Sequence, residues 1–533
     1  MTASSGLNAS PPGEQFPLRL GSAEDFARVE SLLKSSEFNE AAVCGLLRIS
    51  EMADLSAIKP QEVDLTAASE TLALLIRIFL FTEAVGREEV EALIDPATLE
   101  SFLALDVLRV GEFNIADGDN SEAYYSSVFL YPVVGLLIAS DRNNNPDGSH
   151  FAPPPDIVFP AINGGTLLFL KLIPKSPARS ILDIGSGSGV AALMLSACAQ
   201  HVVASDVTSR AAHFASFNRL LNRRDNVEVA SGDLYSAVEG QTFDRIVAHP
   251  PYVPSLSQTT IFRDGGETGE ALVKRIIEGL PEYLRPGGTY YSLCLGLDTK
   301  EARFEERVRD WLGESHDEFD VLFVFADERS PEQFVQDWAK WTNSIASSDL
   351  ARWDDIFTRV GARSLVYGAV VVHRHGATLD ANSKDADSNR QTPAVTARRR
   401  LGAETRGTHI EWALRWHRAR ARADSPQKIA YSRPRLSPRL QVRTTHVVKD
   451  GALVPSNFVF ETEVPFPIAT RLDPWIVPVI AEFNGSYTPA HLYESASSNS
   501  LLPEALTRAD FIDLVALLVE RGYLDVDESI FLD

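Results

Sequence analysis

Cysteine is scarce, with three in 533 residues, Cys44, Cys198 and Cys294. They lie far apart and form no C-x-x-C pair, which argues against a zinc ribbon and a disulfide scaffold. Free thiols fit a reducing, cytoplasmic compartment. Long apolar runs are also missing. The most apolar stretch, residues 72–81, is interrupted by Arg77 and is much shorter than the ~20 residues a membrane-spanning helix needs. Residues 1–15 have neither a basic start nor an apolar core, so no secretory signal is expected there. Positive charge is in deficit: 50 Lys+Arg stand against 73 Asp+Glu, a net charge of −23. Such a chain is not a whole-surface binder of nucleic acid or anionic membrane. Glycine (32) and proline (30) are not enriched, which excludes collagen-like and low-complexity architecture. What remains is a soluble, acidic, multi-domain protein of about three domains.

Residues 1–15 are small and polar and read as a disordered tail. From 16 to 140 the pattern is helical at first. Ser22 and Asp25 form a capping box, and Phe26, Val29 and Leu33 then share one face. Two further helices open near Asp64 and Arg87, and strand-like stretches follow at 105–113 and 124–130. Three helices and a hairpin predict a small winged-helix-like domain. Residues 141–155 are loop chemistry. From 156 to 376 short apolar strands alternate with helices, which predicts an α/β domain with a mostly parallel sheet. Residues 377–397 read as a disordered linker. A basic segment, 398–443, holds thirteen Lys/Arg against three Asp/Glu, a local net charge of +10. Residues 444–533 read as a small helical, winged-helix-like C-terminal domain. Asp473-Pro474 is placed to start a helix there, and Phe511, Leu514, Val515, Leu518 and Val519 share one helical face that stops at Gly522.

The chemistry concentrates in the α/β domain. Ile181-Leu182-Asp183-Ile184-Gly185-Ser186-Gly187-Ser188-Gly189 runs from a strand through a glycine-rich turn into an Ala/Leu-rich helix. The glycines permit a tight turn and a close ligand approach, and the helix start offers unpaired N–H groups. A plain glycine turn or a dinucleotide site also fits this much. Asp183, however, repels a pyrophosphate and attracts a cationic ligand such as S-adenosylmethionine (AdoMet). Asp206 ends the next strand, where it can accept from ribose hydroxyls or cap a helix. Asp233-Leu234 follows the third strand, where a carboxylate can accept from an adenine amine. The fourth strand ends in His249-Pro250-Pro251-Tyr252.

With these motifs in order, residues 160–375 resemble the class I AdoMet-dependent methyltransferases of the small-domain N-methylating group. That group carries Asn/Asp-Pro-Pro-Tyr/Phe after its fourth strand. It includes the HemK/PrmC-type glutamine methyltransferases and the ribosomal-RNA guanine and adenine N-methyltransferases. The resemblance implies a seven-stranded, doubly wound Rossmann-like fold with AdoMet as cofactor. Asp183, Gly185, Ser186, Gly187 and Gly189 would hold the methionine part, Asp206 the ribose, and Asp233 with Leu234 the adenine. His249, Pro250, Pro251 and Tyr252 would hold a planar acceptor nitrogen. This chain departs from the pattern at His249. A neutral imidazole can accept one hydrogen bond and an imidazolium cannot, so activity is expected to fall below pH ~6.5, the ordinary histidine pKa.

The acceptor implied first is a protein glutamine amide, in a release factor or a ribosomal protein. An exocyclic base amine of rRNA or tRNA is the alternative, favoured by Trp412, Trp416 and Tyr431 among the arginines of 398–443. That segment is also compatible with a solvated linker. A non-catalytic AdoMet-binding scaffold is the third reading. The glycine-rich loop 263–269 is placed either beside the substrate or simply as a loop before a helix. His373-x-His375 reads as a surface pair, and no metal site is expected.

Overall fold

The structure, a computed structural model, describes residues 16–116, 119–256, 263–342, 347–376 and 392–531. The expected tail at 1–15 and most of the expected linker, 377–391, lie outside the described residues. The chain divides into two compact units, Met1–Leu170 with Ser176–Arg285, and Lys171–Lys175 with Pro286–Asp533.

The first unit opens on the capping box. The Asp25 N–H donates to the Ser22 hydroxyl at 3.1 Å and the Ser22 N–H donates to the Asp25 carboxylate at 3.0 Å. The helix Ala23–Ser35 so started buries Phe26, Val29 and Leu33. Helices Glu40–Leu47, Glu70–Leu75, Arg87–Leu93 and Pro96–Ala104 follow. Leu108–Ala116 then pairs antiparallel with Asp119–Ser126, whose other edge takes Val85–Gly86. A second hairpin, Phe129–Val133 with Leu136–Ser140, is buried along its whole length.

Asn218, fully buried on the helix Ser209–Leu221, ties that hairpin to the α/β part. Its Oδ1 accepts from the Ala139 N–H at 2.8 Å, and its Nδ2 donates to the Ala139 carbonyl at 2.9 Å and to the Ser188 carbonyl at 2.8 Å. One side chain thus satisfies three buried backbone groups, one of them in the glycine turn.

Four parallel strands follow, in the spatial order Phe243–Ala248, Ala178–Ile184, Ala199–Asp206, Val227–Ser231. Their register sets Ile184 against both Ser205 and Ala248, and Asp206 against Ser231. The loops carrying the predicted site residues therefore leave the sheet at one edge, where open α/β sheets hold their ligands.

In the second unit, Ala362–Arg374 lies antiparallel to both Leu284–Thr299 and Phe319–Arg329. The described residues between 156 and 376 hold seven strands in all. An eighth, Thr396–Arg400, pairs in parallel with Phe319–Arg329. The stretch 398–443 is therefore not a separate segment. After that strand it forms the helices Gly407–Ala421 and Ser425–Tyr431. Trp416 is 1% exposed and shares one core with Phe460, Phe511, Val515 and Val519. The C-terminal part is also less helical than expected. It contains an antiparallel sheet of Gln441–Lys449, Ala452–Thr462 and Ile468–Leu472. The helix expected at Asp473 begins at Ile476, and the short strand Leu524–Asp525 pairs with Arg435–Leu436.

The two histidines read as a surface pair are enclosed instead. His375 Nε2 lies 3.1 Å from Asp320 Oδ1 and 2.7 Å from an Arg418 nitrogen. His373 is held well below the usual imidazole range, to about 4, by burial.

Arg398 is the electrostatic hinge of this unit. It grips Asp298 with two hydrogen bonds of 2.6 and 2.7 Å and reaches Glu305 at 2.9 Å, while its guanidinium lies over Phe323. Asp298 and Glu305 are both buried. Arg398→Ala strands two buried acids, so it should cost about 3–5 kcal/mol of stability in urea unfolding at pH 7. A loss below about 1 kcal/mol at pH 7 would mean that the acids find water or another cation.

Candidate functional site

A cavity of about 380 Å³ opens in the first unit, at the carboxyl ends of the four parallel strands. Asp183, Gly185, Ser186, Gly187, Asp206, Asp233, Leu234, His249, Pro250, Pro251 and Tyr252 all line it. Gly189 does not. It sits one step behind, with φ +81°, where an added Cβ would lie 3.2 Å from Ala215. Its role is to bring the turn against the helix Ser209–Leu221. At Gly185 and Gly187, φ is +69° and +54°, and an added Cβ would meet nothing within 4 Å. Those two positions need glycine for their backbone and leave open space on the cavity side.

The acids flank this turn. Asp183 is buried and accepts from the Ala192 N–H at 3.1 Å, so it also anchors the start of the helix Val190–Leu195. Burial pushes its carboxyl up to about 7, and the negative charge of Asp206 adds to the effect. Asp206 is enclosed by protein but keeps part of its surface on the cavity. It accepts from the Gly187 N–H at 3.0 Å, the Thr208 N–H at 3.0 Å and the Thr208 hydroxyl at 3.2 Å. Burial raises its carboxyl too, against those bonds. Asp233 differs: it is half exposed and accepts from Arg275 at 2.7 Å. The next residue, Leu234, holds a left-handed φ of +53°.

On the opposite side His249 is stacked between two rings. Its centroid lies 5.1 Å from Phe169 and 5.6 Å from Tyr252, with interplanar angles of 28° and 26°. Its Nε2 is buried without a hydrogen-bond partner, as is Ser186 Oγ. Burial holds the imidazole down, to about 4. On that value His249 stays neutral at pH 6.5, which moves the expected loss of activity toward pH ~4. The loop 263–269 packs on this motif, with the Gly265 N–H donating to the Val253 carbonyl at 2.8 Å. A Cβ at Gly269 would meet the Tyr252 carbonyl oxygen at 2.4 Å, so that loop must be glycine to lie so close. Arg263 reaches the cavity from it.

Sequence reasoning missed the cavity wall formed by 156–169. Asp156, Phe159, Asn163, Thr166 and Phe169 all contribute to it. Asn163 caps the helix Gly164–Leu172 by accepting from the Thr166 N–H at 2.9 Å. No spacing rule marks these residues, although Asn-Gly-Gly ahead of an apolar run is a legible helix start.

Residues 160–295 match the methyltransferase small domain family. A release factor glutamine methyltransferase from Koribacter versatilis is 31% identical over 31% of this chain and 63% of its own length. A Methanocaldococcus jannaschii protein, provisionally named a protein N5-glutamine methyltransferase, is 32% identical over 27% of this chain and 74% of its own length. A ribosomal protein uL3 glutamine methyltransferase from Bradyrhizobium diazoefficiens is 28% identical over 27% of this chain and 50% of its own length. The chain thus spans about half to three quarters of the length of these relatives. The glycine turn between two enclosed acids, the His-Pro-Pro-Tyr stretch facing it and these matches together place the chain in the class I AdoMet-dependent methyltransferases of the HemK/PrmC type.

Proposed function

We propose that the chain methylates the side-chain amide nitrogen of a glutamine in a protein of the translation machinery. The observation that carries this reading is the convergence, on one cavity, of two enclosed carboxylates and an unpartnered neutral imidazole between aromatic rings. The names of the relatives, which act on a release factor and a ribosomal protein, favour glutamine over a base amine.

The residues present fit AdoMet. The open side of Gly185 and Gly187 is a cradle that any side chain would fill, the raised Asp183 carboxyl favours a cationic partner, and Asp206 keeps acceptor surface on the cavity for hydroxyl donors. AdoMet, when bound, supplies an electrophilic methyl group on a sulfonium. Asp183 and the 185–189 turn would hold its methionine part, Asp206 its ribose, and Asp233 with Leu234 its adenine. His249 Nε2 and the Pro250 carbonyl would accept from the two N–H bonds of the acceptor amide. That grip aims the nitrogen and stabilises the positive charge that grows on it as the N–C bond forms. Tyr252 stacks on the planar group, and Pro251 stiffens the turn that carries it. The surplus proton leaves the nitrogen after transfer, so a strong base is not required. The enclosed imidazole, held near pKa 4, would be a poor one.

The test is transfer from methyl-labelled AdoMet into an extract of cells lacking this protein, treated with protease or RNase. Protease-sensitive label, recovered as N5-methylglutamine, is expected. RNase-sensitive label would replace this reading with the base-amine reading, and AdoMet binding without label would replace it with the scaffold reading. His249→Asn restores the usual acceptor of the family and should keep kcat within about tenfold. His249→Leu should lose about a hundredfold in kcat.

The two titrating groups separate by kinetic constant. Asp183 must be ionised to meet a cation, so AdoMet affinity should weaken as pH falls from about 7.5 to about 5.5, through its pKa of about 7. Calorimetry at pH ~6 in two buffers of different ionisation enthalpy should show close to one proton released per AdoMet bound. Asp183→Asn should bind more weakly and release none. kcat at saturating AdoMet should stay flat over the same range, because His249 protonates only near 4. A fall in kcat centred near pH 6.5 would show that His249 is solvated.

A further inference from the structure

We propose that an RNA docks on the C-terminal part of the second unit, along the exposed arginines of 433–443 and the projecting hairpin 445–456. This rests on the translation-machinery reading above, since a substrate of that kind works among RNA.

Most of the basic segment is unavailable for such a role. Of the nine Lys/Arg between 398 and 428, six pair with acids: Arg398, Arg399, Arg406, Arg418, Arg420 and Lys428. Arg415 lies over the Phe531 ring at 4.4 Å, and Arg422 donates to the Phe531 carbonyl. These charges are spent inside the fold, and Trp416 is core. Within the basic segment 398–443, these contacts shift the argument for RNA away from Trp416 and the paired arginines and toward the residues after 432.

Beyond residue 432 the pattern reverses. Arg433, Arg435, Arg439, Arg443 and Lys449 are all exposed, and Asp450 is the single acid between 432 and 460. Arg443 pairs with Glu461, whereas Arg435, Arg439 and Lys449 form no ion pair among the described residues. The local field is positive by an independent sign. The His409 pKa is lowered by burial and then by the charges of Arg439 and Arg406. In a chain of net charge −23 this is a local run of positive charge, faced by Asp525 across from Arg435 and by Glu461 at Arg443. Its cations are strung along a continuous stretch, as repeating phosphates require.

The stripe leads into a projecting ribbon. Gln441–Lys449 and Ala452–Thr462 are joined by Asp450-Gly451, with φ of +51° and +80°, the two-residue turn that matches strand twist. The third strand, Ile468–Leu472, pairs only with 458–462. Residues 445–456 therefore extend past it as two strands alone. At the tip Val448 is 75% and Leu453 72% exposed, and they face each other across the ribbon. Aliphatic side chains so exposed on a two-stranded arm gain from a partner surface. With Lys449 beside them and Arg435 and Arg439 at the base of the ribbon, they suit a groove, with the cations on phosphates and the aliphatics against sugar and base faces.

The test uses the full chain and an end-labelled RNA hairpin of about 30 nucleotides, by filter binding across about 20–200 mM salt. Binding should fall steeply with salt, by about one log unit per phosphate contact for each tenfold rise. The variant R435E/R439E/K449E should lose at least tenfold in affinity and about two units of that slope. V448S/L453S should lose affinity with the slope unchanged. V448S/L453S should keep the wild-type thermal midpoint, and R439E/K449E, which leaves Arg435 opposite Asp525 in place, should keep it as well while still losing at least tenfold in affinity. The proposal is overturned if the wild type fails to retain the hairpin at ~20 mM salt, or if the charge-reversed variant binds within twofold of wild type. Polyglutamate competing as well as RNA at equal charge would overturn the choice of RNA. Methyl transfer is not read in this experiment, so its failure is separate from failure of the glutamine reading.

Discussion

Two enclosed carboxylates on either side of one glycine turn constrain everything else in the site. Asp183 and Asp206 sit on adjacent parallel strands, whose register sets Asp183 beside Ala204, two residues from Asp206. An ionised carboxylate taken out of water without a cation costs several kcal/mol. The rise of Asp183 to about 7 corresponds to roughly 4 kcal/mol. Since that pKa lies above its unfolded value, the cost appears as pH rises from about 4 to about 7. Backbone amides at Ala192 and Gly187 and the Thr208 donors offset part of it. They do so only because the turn is short enough to aim them, which is why Gly185 and Gly187 take positive φ and Gly189 packs tightly on Ala215. The remainder is available to a cationic ligand. The same arrangement makes the empty turn costly and a filled one favourable.

The opposite wall works by the reverse rule. There the enclosed group is a histidine, and burial drives it neutral instead of leaving a charge to be met. Phe169 and Tyr252 both stack on it, which limits the ring's freedom to turn its Nε2 elsewhere. An asparagine at this place offers a carbonyl oxygen without help. A histidine is equivalent only if its surroundings keep one ring nitrogen unprotonated. Position 249 therefore depends on Phe169, and so on the Asn163-capped helix that carries it.

The parts of this design that were legible in sequence are those written in local order. Strand, glycine turn and helix follow within residues 178–195, the acids fall at strand ends, and Ser22 with Asp25 declares a helix start. Each depends on neighbours a few positions away. Asn218 was not legible, because a buried asparagine in a helix looks like any other until Ala139 and Ser188 arrive from elsewhere in the chain. Phe169 and the wall at 156–169 were missed for the same reason. The histidine pair at 373 and 375 was read as exposed because nothing nearby announces Asp320 and Arg418 as partners.

The basic stretch carries this lesson furthest. Composition reports that 398–431 is rich in arginine but not which acids those arginines meet. Asp298, Glu305 and Asp320 lie roughly one hundred residues earlier and are buried in the second unit. Without Arg398 and Arg418 they would be uncompensated charges in a low-dielectric interior. The arginines in turn sit on a strand and a helix that this stretch could not hold in place alone. Each half supplies what makes burial of the other tolerable, so the strand Thr396–Arg400 belongs electrostatically to the sheet strands of its unit. The acidic excess of the chain and its basic C-terminal stretch are in that sense one feature. Much of the stretch's positive charge is internal counter-charge, and the longest run of exposed arginines lies past residue 432.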